Sequence, residues 1–332
     1  MRRLLLVIIL AAGVMSIILH CNLWRTNDNW SPHIDVERKE ELIACAFKSN
    51  ISVLLNVNKL YPFLCAENFL KVSELHGSHR IELPYGIKRA ERYFQLALSR
   101  LPHCELFGED DGSLCKKCVV VGNGGVLRNK RLGETIDSYD VIIRMNNGPV
   151  IGYEEDVGRR TTFRLFYPES VFSDPVHHDP NTTAVLVVFK PHDLKWLWDV
   201  ISGLGLIRTS GFWKKPAMRL IYSLNQIRIL DPAITKRAAH EWLHLPTRFT
   251  KQEKPKHPTT GLIAITFALH MCNEVHLAGF KYNFTDRNSA LHYYGNDTMS
   301  LMIQNGYHDI VAEQRLLKEL IDQNIVINLT EE

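Results

Sequence analysis

Read for its apolar and polar positions, the chain changes character three times. It opens on LLLVIILAAGVMSIILH, Leu4 to His20, with no Asp, Glu, Lys or Arg. A helix over that run spans roughly 25 Å, and Cys21 to Trp24 extend it towards the ~30 Å core of a bilayer. A polar stretch, RTNDNWSPHIDVERKEE, follows, and from Leu42 to about Gln95 apolar residues recur at mixed helical spacings, as in IKRAERYFQLAL. From Cys118 the pattern changes again. CVVVG, DVIIRMN, TAVLVVFK and EVHLAGF are short β-branched runs, with NQIRILD a weaker one. Between them lie the helical patterns PHDLKWLWDVISGL, AITKRAAHEWLHL, TTGLIAITFALHMC and HDIVAEQRLLKELIDQ.

Short buried strands alternating with helices predict an α/β domain with a mostly parallel sheet covered on both faces. In such sheets ligands bind beyond the carboxyl ends of the strands. Attention therefore falls on the glycine turn after Val121, the RMNN after Ile143 and the KYN after Phe280.

The N-terminal run exceeds the usual apolar core of a signal peptide, and Arg2 and Arg3 precede it. The expected arrangement is a cytosolic tail over 1–4, an uncleaved signal anchor over 5–24, a stem over 25–45 and a lumenal catalytic domain over 46–332. Six N-x-S/T sequons, at Asn29, Asn50, Asn181, Asn283, Asn296 and Asn328, suit a glycosylated lumenal body. Of seven cysteines, Cys21 sits at the membrane edge. Cys45, Cys65, Cys104, Cys115, Cys118 and Cys272 form an even set, which suggests disulfides. Net charge is +3 and the basic residues are dispersed, which argues against nucleic acid as a partner.

Gly122-Asn123-Gly124-Gly125 follows a strand and precedes a helix-compatible segment, the context of a phosphate or nucleotide loop or of a ligand-free tight turn. The third glycine of a redox-dinucleotide turn is missing, since Val126 or Arg128 stands near its place. The next strand ends in Asn146-Asn147, where an acid for the ribose would be expected, although amides supply both donor and acceptor. In HPTTG, Thr259 or Thr260 is placed to cap a helix whose free N–H groups attract phosphate, and a plain N-cap is equally compatible. His308 stands near the start of an amphipathic helix, five residues before Glu313, where a helix N-terminus favours the neutral imidazole. The histidines of DPVHHDP lie in a proline-rich loop and read as a solvated turn, Cys115-x-x-Cys118 has no second pair, and no D-x-D motif ends a strand. No metal site is expected.

Taken in order, these segments resemble the animal sialyltransferases. Cys118 to Tyr167 is similar to their large sialylmotif, residues 257–280 to the small one, HYYG at 292–295 to the third, and His308-x4-Glu313 to the very small one. The resemblance implies a single Rossmann-like domain, a variant of the GT-A glycosyltransferase fold, behind a transmembrane helix in the Golgi membrane. It implies CMP-sialic acid as donor, no metal or other cofactor, and galactose-terminated glycoprotein and glycolipid acceptors, with transfer to the 3-hydroxyl of galactose β1,4-linked to N-acetylglucosamine. Carried over by motif, Asn123 and Asn146 contact CMP, the backbone at Gly124 and Gly125 lies beside it, and Tyr167 lines the donor site. Thr259, Thr260 and Gly261 hold the ribose or cytosine side, His292 steadies the departing phosphate, and His308 is the general base. A disulfide between Cys118 and Cys272 is also implied. Two departures stand out: many relatives have Ser where Gly124 stands, and an acid where this third motif ends in Gly295. Acceptor preference is expected to depend on Trp213, His192 and the loops around them. The competing readings are a lumenal NAD(P)-dependent reductase built on the glycine turn and an inactive, membrane-anchored glycan-binding protein.

Overall fold

A computed structural model describes residues 60–103, 116–203, 209–247, 255–281 and 284–330. The anchor, the stem, Asn29, Asn50, Asn283, Cys21, Cys45, Cys104 and Cys115 lie outside the described residues. Among the described residues no helix is long and apolar enough to cross a membrane.

Eight strands make one sheet: β1 (Phe63–Leu64), β2 (Lys117–Val121), β3 (Val141–Met145), β4 (Phe163–Phe166), β5 (Thr183–Leu186), β6 (Ile227–Leu230), β7 (Glu274–Ala278) and β8 (Ile327–Asn328). Their order is β1-β6-β5-β4-β3-β2-β7-β8, and every pairing is parallel except the antiparallel β1–β6 edge. The helices used below are α1 (Phe69–Leu75), α2 (Glu91–Leu98), α3 (Gly133–Asp137), α4 (Glu154–Val157), α5 (Pro191–Ile201), α6 (Pro232–Lys236), α7 (Thr260–Met271), α8 (Met299–Gln304) and α9 (Ile310–Asp322).

Alternation along the strands explains why their sequences are almost continuously apolar. Cys118, Val120, Ile143, Leu165, Val185 and Leu277 face a layer built around α7. Val119, Val121 and Ile142 face the opposite side, against Leu127, Ile136 and Val157. Ala184, Leu186 and Ile229 pack there with α2 and α5. Both faces are covered, as expected for a parallel sheet. Helix α7 is apolar all round because it is buried all round; Leu262 to His270 are all buried.

The structure differs from the sequence reading in three elements. β4 carries Arg164 inside FRLF, which interrupts its apolar run, yet Arg164 is 4% exposed and paired in register with Arg144. YPFL ends in strand β1 rather than in a helix, completing the sheet edge. The AITKRAAHEWLHL helix starts as α6 and continues as a π-helix over Arg237–Trp242.

Cys118 and Cys272 form a disulfide with Cα atoms 6.1 Å apart, tying the start of β2 to the C-cap of α7. Cys65 is also disulfide-bonded. Asn181 and Asn296 are exposed in turns. Asn328 is half-buried in the edge strand β8, its Oδ1 accepts from the Thr330 N–H and hydroxyl, and Thr330 is fully buried.

The Cys118–Cys272 bond closes a loop of 154 residues. The chain-entropy model assigns such a loop about 5 kcal/mol. Replacing both cysteines by alanine is expected to lower the thermal midpoint by ten degrees or more. An unchanged midpoint by calorimetry contradicts the assignment.

Candidate active site

A cavity of about 290 Å³ opens beyond the carboxyl ends of the central strands. Asn123, Asn146, Tyr167, Thr259, Thr260, Gly261, His292 and His308 all line it. Residues far apart in the chain meet because β2, β3 and β4 are parallel neighbours and α7 starts at the same end.

The start of α7 is assembled by side chains from α9. Thr259 is the N-cap, its hydroxyl accepting from the Leu262 N–H at 3.1 Å. Glu313 reaches back from α9 so that Oε1 accepts the Thr259 N–H at 2.7 Å and Oε2 meets the Thr259 hydroxyl at 2.6 Å. Two further contacts close the seam: Lys256 pairs with Asp309 at 2.9 Å, and the His257 N–H donates to the Tyr307 carbonyl at 2.8 Å. The side chain of Thr259 is thus committed to the fold. The N–H groups of Thr260 and Gly261, in the first turn of the helix, have no partner among the described residues and face the positive end of the helix dipole.

His308 donates from Nδ1 to the His257 carbonyl at 2.8 Å, which fixes the tautomer and leaves Nε2 as the lone-pair nitrogen. Burial holds its pKa below the ordinary histidine value, partly offset by that backbone bond. Behind it, Nδ1 of His257 is 2.8 Å from the Tyr85 hydroxyl, and Tyr85 packs edge-on against His240. Burial, then the neighbouring His308 and His240, lower the pKa of His257 as well.

His292 stacks on Tyr294 with ring centroids 5.1 Å apart. Its pKa is lowered by burial, against the raising effect of Asp297. Its backbone is held by Arg128, whose guanidinium donates to the carbonyls of His292, Tyr293 and Gly295 at 2.9–3.2 Å. Arg128, noted in the sequence only for standing near a missing glycine, clamps the third motif onto the first turn.

The glycine turn differs from expectation. Gly124 and Gly125 are not on the cavity wall. Their N–H groups donate to the carbonyls of Gly279 and Leu291 at 3.2 and 3.1 Å, so neither is free for a phosphate. A Cβ at Gly124 would run into the Gly279 carbonyl, so the close approach of the two backbones requires glycine here. What the turn presents to the cavity is Asn123. On the next strand, Asn146 adopts φ 55°, and Arg164 donates to the carbonyls of Asn146 and Gly148, both at 2.9 Å. The Asn146 Oδ1 is buried without a partner, an acceptor waiting for a donor. Below it Arg144 binds the Val157 and Arg160 carbonyls, and its burial lowers its pKa to about 10.

The DPVHHDP segment forms an exposed 3-10 turn capped by Asp174. Among the described residues no three His, Cys, Asp or Glu side chains are grouped as metal ligands.

A free helix N-terminus, an orphaned amide oxygen and two imidazoles on one wall could together hold an anionic group beside a proton acceptor. A family model for glycosyltransferase family 29 (sialyltransferase) matches residues 63–325, and the chain belongs to that family. It is 59% identical over 332 residues to the type 2 lactosamine alpha-2,3-sialyltransferase of Homo sapiens, covering 100% of both chains. It is 42% identical over 305 residues to the human CMP-N-acetylneuraminate-beta-galactosamide-alpha-2,3-sialyltransferase 4, covering 89% of this chain and 87% of that one. The crystal structure of a mammalian sialyltransferase superposes with a TM-score of 0.65 at 26% identity over 83% of this chain and 92% of that one. A mammalian sialyltransferase in complex with Gal-beta-1-3GalNAc-ortho-nitrophenol gives 0.64 at 26% identity, over 83% and 93%.

Burial pushes the Glu313 carboxyl up to about 7, against the lowering effect of its two bonds to Thr259. A carboxyl raised on folding binds its proton more tightly in the native state, so stability falls as pH rises from the ordinary carboxylate range through about 7. The E313Q variant keeps both hydrogen bonds without titrating. It is expected to lose that slope and to gain stability relative to the parent between pH 5 and 8, on the order of 3 kcal/mol at most. Parallel pH–denaturation curves for the two proteins rule this out.

Proposed function

We propose that this sialyltransferase moves sialic acid from CMP-sialic acid to the 3-hydroxyl of terminal galactose in Gal-β-1,4-GlcNAc chains, by an inverting single displacement. The full-length likeness to a type 2 lactosamine alpha-2,3-sialyltransferase supports the acceptor and linkage. The observation that carries the mechanism is the tautomer of His308, whose Nδ1–H is spent on the His257 carbonyl while the ring lines the cavity.

The galactose 3-oxygen attacks the anomeric carbon of sialic acid from the face opposite CMP. The bond from that carbon to the phosphate oxygen breaks, and its electron pair leaves with CMP. The hydroxyl proton passes to Nε2 of His308. Asn123 and Asn146 are the proposed contacts to CMP, Thr260 and Gly261 offer N–H groups to its anionic part, and Tyr167 closes that side. Thr259 acts from behind by holding the helix start. Gly124 and Gly125 serve by shape. His292 donates to the phosphate as charge develops on the leaving oxygen. One phosphate carries less charge than a diphosphate, so N–H groups and an imidazole suffice and no metal is required in this reading.

The sheet is read as a variant of the GT-A fold. A Golgi-lumenal body on a type II anchor is likewise proposed, supported by the apolar run over 4–20 and by a disulfide that needs an oxidising compartment. Neither the reductase nor the inactive glycan-binding reading gains an observation, since the N–H groups of Gly122, Gly124 and Gly125 are bonded within the fold and both histidines are in place.

His308→Ala is expected to cut turnover ~10²–10⁴-fold while CMP affinity survives. Near-normal turnover moves the base elsewhere. Because burial lowers the His308 pKa, the neutral base persists below the ordinary histidine value. The acid limb of kcat/KM for the parent enzyme is expected to fall with an apparent pKa under about 6.5. Transfer of radiolabelled sialic acid to lactosamine is expected to be inhibited by CMP and unaffected by EDTA; loss of activity in EDTA, restored by a divalent cation, contradicts the metal-free reading.

A further inference from the structure

Next to the cavity, an exposed tryptophan is held by a buried charge cluster. Trp213 is 58% exposed, although its surroundings are tightly built. The Trp213 backbone N–H donates to Glu169 Oε1 at 2.9 Å, and the same oxygen accepts from Lys190 Nζ at 3.0 Å. Lys190 also meets Asp193 at 2.9 Å, and the Glu169 and Asp193 side chains are fully buried. The Lys190 ammonium sits 4.0 Å from the centroid of the Trp213 ring and 5.1 Å from that of Phe212. The loop leading in is equally constrained. Gly211 has φ +90°, and a Cβ there would meet the His192 ring at 2.7 Å, so only glycine seats this chain on α5. Beyond it, the Ala217 N–H donates to the Pro168 carbonyl at 2.9 Å.

A large aromatic ring held in water by such an anchored loop, beside the cavity, is preorganised for a ligand. Trp213 meets Tyr167 with centroids 5.6 Å apart and planes at 73°, and Tyr167 is on the cavity wall. The aromatic surface therefore begins where the cavity ends. A volume of about 290 Å³ is at the small end for ligand sites. That is too small for a sugar-nucleotide donor together with a whole disaccharide, so in the transfer reading an acceptor sugar beyond the galactose would lie outside it. The C–H face of a pyranose suits an indole plane, and a rigid tryptophan loses little conformational entropy on contact.

We propose that Trp213 is a stacking platform for the acceptor's second sugar, held in place by Lys190, Glu169 and Asp193. This rests on the sialyl-transfer reading above. The test compares W213A and W213F with the parent enzyme, using CMP-sialic acid as donor and either N-acetyllactosamine or methyl β-galactoside as acceptor. W213A is expected to raise KM for the disaccharide about tenfold, leave KM for donor and monosaccharide within about twofold, and be largely rescued in W213F. Saturation-transfer NMR should lose the signals of the second sugar in W213A and keep those of galactose. Equal losses on both acceptors, a raised donor KM, or an unchanged disaccharide KM overturns the platform. Failure of the parent enzyme to sialylate either acceptor refutes the transfer reading instead.

Discussion

The seam between residues 256–259 and 307–313 is the constraint on which the site depends. Along it, a salt bridge, a backbone hydrogen bond, the His308 imidazole and the Glu313 carboxyl all cross between two segments some fifty residues apart. The same contacts cap α7 and orient the His308 imidazole. Capping a helix by a side chain from another element leaves its next N–H groups bare, because Thr259 and Glu313 satisfy the donors of Leu262 and Thr259 but not those of Thr260 and Gly261. The bare helix start and the oriented imidazole are thus made by one packing event, and neither can shift without the other.

The glycine turn plays a different part from the one its sequence suggests. In a phosphate loop glycines free N–H groups for a ligand. Here the N–H groups of Gly124 and Gly125 bind the chain after β7 and the third motif, and Tyr293 returns the pairing by donating to the Asn123 carbonyl at 3.0 Å. Arg128 completes the clamp. The turn is a socket that seats His292, and the absence of side chains at 124 and 125 allows two backbones to touch. A reader of the sequence sees glycines but not which carbonyls consume their donors.

That limit marks how much was legible. The strands CVVVG, DVIIRMN and EVHLAGF stood out because a sheet buried on both faces demands apolar residues on both faces. β4 was hidden because its buried arginine serves the loop after β3, a purpose visible only once Asn146 and Gly148 lie beside it. β1 and β8 are two residues each and carry no period at all. The turn at 123, the amide at 146, the helix start at 259–260 and His308 stood out from their chemistry and position, whereas the roles of 167, 261 and 292 came only through family motifs. Glu313 is the instructive case: the sequence shows it five residues after His308 but not that it reaches back to Thr259.

The two cavity histidines show how one physical effect yields two roles. Burial makes both harder to protonate than a histidine in water. His308 has spent its Nδ1–H on a carbonyl, so a proton can add only at Nε2, and adding it costs the desolvation of a cation: the profile of a base that stays empty until a hydroxyl offers its proton. His292 is stacked on Tyr294 and feels Asp297, and no side-chain hydrogen bond among those described fixes its tautomer. An arriving phosphate would remove much of the penalty for charging it, since an anion at close range favours the imidazolium. In the proposed reaction the donor therefore readies its own leaving-group partner, whereas the base is readied by the fold. Exchanging the residues would not exchange the roles, because the Nδ1 bond and the nearby carboxylate belong to the two positions rather than to the rings.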